Sequence, residues 1–287
     1  MKKGWKIFWI VCGISAAIGI ILCISGLAMG ASLSALNINV GGNGIHFVED
    51  DEHPEEELYD DEGYEVHEFD RDAAQSYDDV KKVKVDVSAL ELEVLMSEDE
   101  CVWVDAENLS SKVKFQCRQE GDELILKTDV KLARLVDLDG SKTIRLYLPE
   151  KCLEEIDITN GAGTVRIEYL NAEKFSLDIG AGDAAVKDFD VTEAEIDCGA
   201  GEITAYGSVA KNIDIECGVG EIGLTLEGNE EDYTYNVDCG VGEVVVGQNR
   251  YEGVGNGHNN GQNHHGKKNI DVECGIGSVT VQFTSGI

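Results

Sequence analysis

From residue 80 to the C-terminus, apolar and polar residues alternate along short runs, and the alternation slips by one position at pairs of glycines. In the run from 213 to 224 the apolar phase is held by Ile213, Ile215, Cys217 and Val219, and then by Ile222 and Leu224. A period of two predicts β-strands that bury one side. A phase slip at glycine is typical of a bend or bulge between strands. The pattern predicts an all-β domain with glycine corners, and it places Val219 in phase with the inward Cys217.

The glycine pairs recur at a regular interval. Six segments share a Gly-x-Gly core: ITNGAGTVRI (158–167), LDIGAGDAAV (177–186), IDCGAGEITA (196–205), IECGVGEIGL (215–224), VDCGVGEVVV (237–246) and VECGIGSVTV (272–281). Their first glycines are 19, 19, 19, 22 and 35 residues apart. A fixed period near twenty residues is typical of a solenoid, whose coils bury apolar side chains against one another. The predicted corner glycines are Gly161, Gly163, Gly180, Gly182, Gly199, Gly201, Gly218, Gly220, Gly240, Gly242, Gly275 and Gly277.

The repeat weakens upstream. The run from Val83 to Val94 keeps the alternation but has Ser88 and Leu90 where later segments have glycine. Further apolar runs between Cys101 and Leu148 predict strands at less regular spacing. Terminal repeats of solenoids are commonly atypical because they cap the stack. We therefore place the β-solenoid domain at residues 80–287, with coils of about 19 residues stacked in parallel and like positions in columns about 4.8 Å apart.

The N-terminus predicts a membrane anchor. Residues 7–29 carry no charge, which as a helix is long enough to cross a bilayer. Lys2, Lys3 and Lys6 precede the segment, so the positive-inside rule places the N-terminus in the cytoplasm and the rest outside the cell. The alternative is a cleaved signal peptide, whose apolar region is normally shorter. We assign residues 1–30 to a cytoplasmic Lys cluster and an uncleaved transmembrane anchor.

Residues 31–79 predict a spacer followed by an acidic linker. Residues 31–45 are small and polar, as expected of a flexible tether. Residues 49–79 are dense in Asp and Glu with a single base, Arg71, so this run cannot bury a core. A solvated stalk is the simpler interpretation, and a docking strip for a cationic partner is the alternative. Anionic lipid would repel this run.

Charge and composition narrow the function further. The 287 residues include 56 acidic and 23 basic side chains, for a formal net charge of −33. So negative a surface repels phosphate backbones, which excludes nucleic acid as a partner and favours cations or cationic partners. With 33 glycines and only 2 prolines, the composition agrees with tight turns between hydrogen-bonded strands, since proline cannot donate to a ladder.

Four thiols share one position, immediately before the first glycine of four successive coils. The strand alternation places this column inward, where a buried ladder of inert thiols is the simplest interpretation. A disulfide between neighbouring coils is the alternative, although parallel Cβ vectors hold the Cβ atoms farther apart than a disulfide prefers. The thiols do not cluster in the close pairs that metal sites use. The column consists of Cys198, Cys217, Cys239 and Cys274.

Acidic side chains form two predicted outward columns. Stacked like charges at strand spacing are destabilising unless they are screened. The columns are therefore either solvated faces or sites for cationic ligands, including divalent cations held weakly. A calcium-binding nonapeptide roll is excluded because its Asp stands two places after the glycine, not one. The first column is Asp178, Asp197, Glu216, Asp238 and Glu273, and the second is Asp183, Glu202, Glu221 and Glu243.

No pattern in the chain predicts catalysis or a cofactor. The sequence has no nucleophile elbow, no phosphate-binding Gly-Lys pair and no His-Glu metal motif. Residues 247–268 predict an inserted polar loop on the solenoid surface. Its His258, His264 and His265 leave a weak metal site open as an alternative. We expect no catalytic residues and no resident metal.

The repeated [Ile/Val]-[Asp/Glu]-x-Gly-[Ala/Val/Ile]-Gly-x-[Val/Ile] segments resemble an adhesin-type β-strand-repeat family of bacterial, largely Gram-positive, surface proteins, a domain of unknown function. The resemblance covers about residues 80–287 and is supported by the Lys-flanked N-terminal segment. It implies a membrane-attached, right-handed β-solenoid or β-helix outside the cell. It also implies, through some relatives, a link to cell-envelope stress and to resistance against cationic antimicrobial peptides. No catalytic residues are described for the family.

The sequence thus predicts a single-pass cell-surface protein that is not an enzyme. Its solenoid is expected to bind or sense envelope-active partners, either cationic peptides or envelope proteins, in an envelope stress response. The alternative is an adhesin or structural surface rod whose ligand is a glycan or a protein. An enzyme acting on glycans is the third hypothesis, and it would need outward carboxylates clustered in a groove.

Overall fold

The computed structural model describes residues 38–41, 44–47, 74–106, 109–110, 113–129, 143–253, 259–264 and 266–284. The chain divides into two compact units, Met1–Leu58 and Tyr59–Ile287. The predicted anchor at 7–29 and most of the acidic run lie outside the described residues. Within the described part of the chain, no helix combines the length and apolar character needed to cross a bilayer.

The first unit contains one β-hairpin. Strand β1 (Ile38–Gly41) pairs antiparallel with β2 (Gly44–Phe47), and Ile38 lies opposite Phe47. Residues 38–41 and 44–47, which belong to the predicted spacer, therefore pair as strands. Only two residues, Gly42 and Asn43, separate the strands in the sequence, which is the length of a tight hairpin connection.

The second unit is all-β, as predicted, with a single 3₁₀ turn at Glu230–Asp232 as the one helical element among its described residues. Four strands run through a glycine corner without interruption. The upstream strands are β3 (Gln75–Tyr77), β4 (Lys82–Val87), β5 (Glu91–Met96), β6 (Val102–Asp105), β7 (Lys114–Glu120), β8 (Glu123–Asp129), β9 (Thr143–Leu148), β10 (Leu153–Asn160) and β11 (Gly163–Ile167). The downstream strands are β12 (Leu170–Val186), β13 (Phe189–Glu227), β14 (Tyr233–Val246), β15 (Asn249–Gly253), β16 (Asn259–His264) and β17 (Lys268–Thr284).

Parallel pairing stacks these strands into a solenoid-like body with two faces that meet at the corners. The first face holds the segments before each corner, and the second face holds those after it. On the first face β8, β4, β10 and β12 follow one another in parallel. On the second face β9, β5, β11 and β12 do the same. The 19-residue repeat is confirmed by the register of β12 on β13, where Leu170 pairs with Phe189 and Val186 with Ala205.

The coils do not stack in sequence order. Strand β17 lies between β13 and β14, since Cys217 and Cys239 both pair with Cys274. The expectation that the last four Gly-x-Gly segments are successive coils is therefore wrong. The segment between β14 and β17 explains this order. Its strands β15 and β16 pair with the edge of β14 that faces away from β13, so β17 pairs with the other edge.

Antiparallel strands close both ends of the stack. At one end β7 pairs with β8 and β6 pairs with β9. At the other end β16 covers the first face of β14 and β15 covers its second face. Residues 249–253 and 259–264 of the segment 247–268, predicted as an inserted polar loop, thus lie in strands. The outermost strands of the sheet in the described part of the chain are thus β3, β7, β15 and β16.

The core is a set of inward columns that run the length of the stack. Alternate positions of each strand are buried, as in β13 and β17. The four thiols Cys198, Cys217, Cys274 and Cys239 are all buried, so the inward phase predicted for them is confirmed. Asn160 continues this column toward β4, and its side-chain amide donates to the Leu90 carbonyl at 3.1 Å.

The corners require glycine because neighbouring coils approach backbone to backbone. A Cβ built on Gly199 would lie 2.6 Å from the carbonyl oxygen of Gly180. At the second glycine, Gly201, a Cβ would overlap the carbonyl of Gly182, and φ is +149°, which side-chain-bearing residues rarely adopt. The corner role predicted from the repeated glycines is consistent with this geometry.

Candidate functional site: an acidic face and its corner

The first acidic column lies on the outer side of the first face. Adjacent members pair in register, Asp178 with Asp197 and Glu216 with Glu273, and Asp238 also pairs with Glu273. Glu216 and Glu273 are exposed, whereas the three aspartates are half-buried. In the order of the stack the column is Asp178, Asp197, Glu216, Glu273 and Asp238.

A second row of outward residues lies beside this column on the same strands. It contains Glu195, Asp214 and Asp271, with Asp214 paired to Asp271 across coils. At the same position β12 has Ser176 and β14 has Asn236. From β12 to β14 these two rows contain no lysine or arginine. We call the two rows together the acidic face.

Burial and crowding of like charges together change the pKa of Asp197. Burial, and then the charges of Glu216, Glu195, Asp178 and Asp214, raise the pKa of Asp197 to about 7. Burial followed by the charge of Asp157 raises the pKa of Asp178, and burial followed by that of Asp271 raises the pKa of Asp214. The Oδ1 atom of Asp197 is buried and has no hydrogen-bond partner in the described part of the chain. The face therefore favours binding either protons or external cations.

The second acidic column lies on the second face and is interrupted. Asp183 pairs with Glu202, as predicted. Ser278 then stands between Glu221 and Glu243, because β17 is inserted there. Arg250 of β15 forms an ion pair with Glu243 at 2.6 Å, so part of this column is neutralised within the chain. The acids of the second face are less concentrated than those of the first.

The thiol column lies beneath the acidic face and is chemically quiet. All four of its cysteines are free thiols. Burial is the main cause that raises the pKa of Cys198 to about 11 and that of Cys274 to about 12. Cys198 and Cys274 are therefore protonated at neutral pH, and a protonated thiol is a poor nucleophile and metal ligand.

The residues at the tips of the corners differ along the stack. Between the two corner glycines, β12 and the first coil of β13 carry Ala181 and Ala200. The next three coils carry Val219, Ile276 and Val241, whose side chains are 45, 43 and 46% exposed. The inward phase predicted for Val219 is therefore wrong, because the backbone already turns at Gly218. The signal was present in the sequence as an apolar residue enclosed by two glycines.

The Toastrack family profile, a domain of unknown function (DUF4097), matches residues 80–226, just over half of the chain. The chain belongs to this family. Its match covers β4 to the second coil of β13, which includes the corners from Gly161 to Gly220 and the part of the acidic face on β12 and β13. The β-solenoid-like fold expected of a Toastrack domain agrees with the parallel stack described above.

Three solved structures resemble this Toastrack chain at low identity. A proposed cell adhesion protein from Clostridium sporogenes ATCC 15579 is 15% identical, over 74% of this chain and 99% of that one, with a TM-score of 0.38. A proposed adhesin from Bacteroides fragilis NCTC 9343 is 14% identical over 73% and 96% of the two chains, with a TM-score of 0.32. A proposed adhesin from Parabacteroides distasonis ATCC 8503 is 18% identical over 74% and 96%, also with a TM-score of 0.32. A comparison with curated proteins gives no significant match.

The described residues contain no group of three or more His, Cys, Asp or Glu arranged to hold a metal ion. The side chains of His258, His264 and His265 lie outside the described part of the chain.

Proposed function

We propose that this chain is a non-enzymatic, single-pass surface protein whose solenoid binds cationic, envelope-active partners through its outward acids. The observation that supports the proposal is the concentration of carboxylates around Asp197 on the acidic face, where burial and the neighbouring charges raise the pKa of Asp197 to about 7. A bound cation reduces the repulsion between these carboxylates. This reduction contributes to the binding free energy.

The proposed location follows from the sequence. The Lys-flanked segment at 7–29 would hold the protein in the membrane with its N-terminus in the cytoplasm, and the right-handed solenoid would lie outside the cell. At that position the acidic face meets cationic peptides before they reach the anionic bilayer. A role in an envelope stress response rests on this placement.

Isothermal titration calorimetry of the full chain in nonionic detergent micelles tests the proposal. The titrant is a leucine–lysine amphipathic peptide, at low salt and at about 0.15 M salt, where the Debye length is about 8 Å. Binding that persists at the higher salt supports a specific site. Asp197→Asn combined with Glu216→Gln should reduce the affinity about tenfold, because two of the closest charges are lost.

The matched control neutralises two exposed acids away from the face, Glu98→Gln with Glu100→Gln. The micelle contribution is common to all variants and cancels in the comparison. Equal affinity of the two double variants would contradict the proposal, and so would binding that disappears entirely at 0.15 M salt.

The second candidate is an adhesin or structural surface rod that binds a glycan or another protein. It is supported by the antiparallel strands at both ends of the parallel stack, which give the solenoid defined ends and leave its outer faces available to a ligand. Adhesion should survive charge neutralisation of the acidic face. The same double variant therefore separates the two candidates.

A further inference from the structure

The exposed large apolar side chains of the described residues are concentrated at one place. Met96 is isolated, whereas Val219, Ile276 and Val241 occupy the corner tips of three adjacent coils. Val219 and Val241 each pair with Ile276, so neighbouring tips are one strand spacing, about 4.8 Å, apart. We call these three side chains the corner ridge.

The fold does not require large residues at the ridge. Ala181 and Ala200 hold the same tip position two and one coils upstream, and the backbone register there is the same. The ridge side chains are almost half exposed and add little to the core. A contiguous apolar surface that folding does not need is typical of an interaction site.

A trough runs between the ridge and the first acidic column. Its floor is the column of first glycines, which cannot carry side chains because a Cβ on Gly218 or Gly275 would lie 2.6–2.7 Å from the carbonyl of the neighbouring coil. Glu216, Glu273 and Asp238 lie on the other side of this floor. Together with Gly218, Gly240, Gly275, Cys217 and Cys274 they line a cleft of about 290 Å³, and each ridge residue follows one of these glycines in the chain.

This arrangement repeats on three coils in the same order: acid, buried thiol, glycine, branched apolar tip, glycine. It suits a side chain with an alkyl stem and a cationic head, because the stem can lie on the glycine floor against the ridge while the head reaches the carboxylates. A second copy of the chain does not fit, since it carries the same acids and a net charge of −33. An anionic membrane surface is repelled for the same reason.

Building on the proposed function, we infer that the corner ridge and its trough are the docking surface for a cationic amphipathic peptide. The apolar stripe of the peptide packs on Val219, Ile276 and Val241. Its lysine or arginine heads bind Glu216, Glu273 and Asp238. Apolar burial on the ridge distinguishes such a partner from a simple polycation.

The test compares two titrants on the full chain in nonionic micelles at about 0.15 M salt: a leucine–lysine amphipathic peptide and polylysine. The ridge variant is Val219→Ala, Ile276→Ala and Val241→Ala, which installs the residue that the upstream corners already have. It should bind the amphipathic peptide roughly tenfold more weakly and bind polylysine unchanged, because it loses apolar contact area but no charge. Met96→Ala is the control for loss of an exposed apolar side chain elsewhere and should leave both affinities unchanged.

The outcomes separate this inference from the proposed function. Unchanged binding of the amphipathic peptide to the ridge variant, together with weakened binding to Asp197→Asn/Glu216→Gln, would overturn the ridge as the docking surface and leave the acidic face in place. Equal weakening of both titrants in the ridge variant would also overturn it. If neither titrant binds the unaltered chain at this salt, the inference and the proposed function both fail. Equal circular dichroism spectra and melting temperatures establish that the variants are folded.

Discussion

The early coils (β4 to β11) and the late coils (β13, β14 and β17) share parallel strand pairing and a buried apolar core. They differ in how charged side chains are arranged on their outer surface. In the early coils, residues of opposite charge face one another: Lys84 pairs with Asp157 at 2.8 Å and Arg145 with Glu93 at 2.9 Å. In the late coils, Asp197 and Glu216 stand among further carboxylates with no such pairing. Cross-strand pairs of opposite charge stabilise a sheet and like pairs destabilise it. The acidity of the late coils is therefore not a requirement of the fold.

The residues at the corners also differ between the early and the late coils. The earliest corner has Ser88, Ala89 and Leu90 in place of the glycine motif, the middle corners have alanine tips, and the late corners have Val219, Ile276 and Val241. The apolar tips and the concentrated acids overlap on the second coil of β13 and on β17, where Glu216 and Glu273 precede Val219 and Ile276. A function that uses both features would be located there.

The largest expected effect comes from a side chain placed in a late corner. Gly220→Ala should destabilise the protein by more than about 3 kcal/mol, since its Cβ would overlap the carbonyl of Gly201 and φ is +152°. Gly223→Ala on the same coil is the control: its Cβ would meet nothing closer than 4.0 Å, so the change should stay within about 0.5 kcal/mol. Chemical denaturation measures both. Comparable losses would show that the close approach at the corners is not what requires glycine.

A smaller effect with a defined sign is expected at Asp197. Because its folded-state pKa is raised to about 7, the folded protein binds a proton that the unfolded chain releases, and stability falls as pH rises from about 4 through 7. Asp197→Asn should therefore be more stable than the parent at pH 8, by roughly 1 kcal/mol because the side chain is partly exposed and screened. The two proteins should converge near pH 4, where the carboxyl is protonated in both the folded and the unfolded chain. Thermal unfolding between pH 4 and 8 checks this, and a parent protein that gains stability toward pH 8 relative to the variant would contradict it.

The smallest effect is expected at the ion pairs of the early coils. Arg145→Met removes pairs with Glu93 and Asp105 and should cost about 1 kcal/mol at low salt and less at high salt. Lys187→Met is the control, because its pair with Glu168 is highly exposed and should contribute almost nothing. If the loss at Arg145 is independent of salt, packing of the side chain rather than its charge stabilises the early coils.

Local patterns predicted much of this architecture. The period of two identified the strands, and the glycine spacing identified the 19-residue coil and the inward thiols, because these depend on residues close in sequence. The position of β17 between β13 and β14 was not predictable in this way, since it depends on which edge of β14 the strands β15 and β16 occupy. The outward turn of Val219 was missed because alternation was extended through Gly218, where the backbone changes direction.

The acids were predicted as columns, but their electrostatic coupling needed the structure. Sequence spacing gave Asp178, Asp197 and Glu216 as neighbours. It did not show that Asp197 is half-buried or that Asp214 approaches it from the adjacent row. The neutralisation of Glu243 by Arg250 depends on the pairing of β15 and was likewise hidden.

The most direct test of the central claim is the proton count that accompanies cation binding to the acidic face. Calorimetry of the full chain with the leucine–lysine peptide at pH 7, repeated in buffers of different ionisation enthalpy, gives the protons released per peptide bound. A cation near Asp197 lowers its pKa, so the parent protein should release a proton fraction that Asp197→Asn does not. Binding with the same proton release in both proteins would contradict the account, because the cation would then be bound elsewhere.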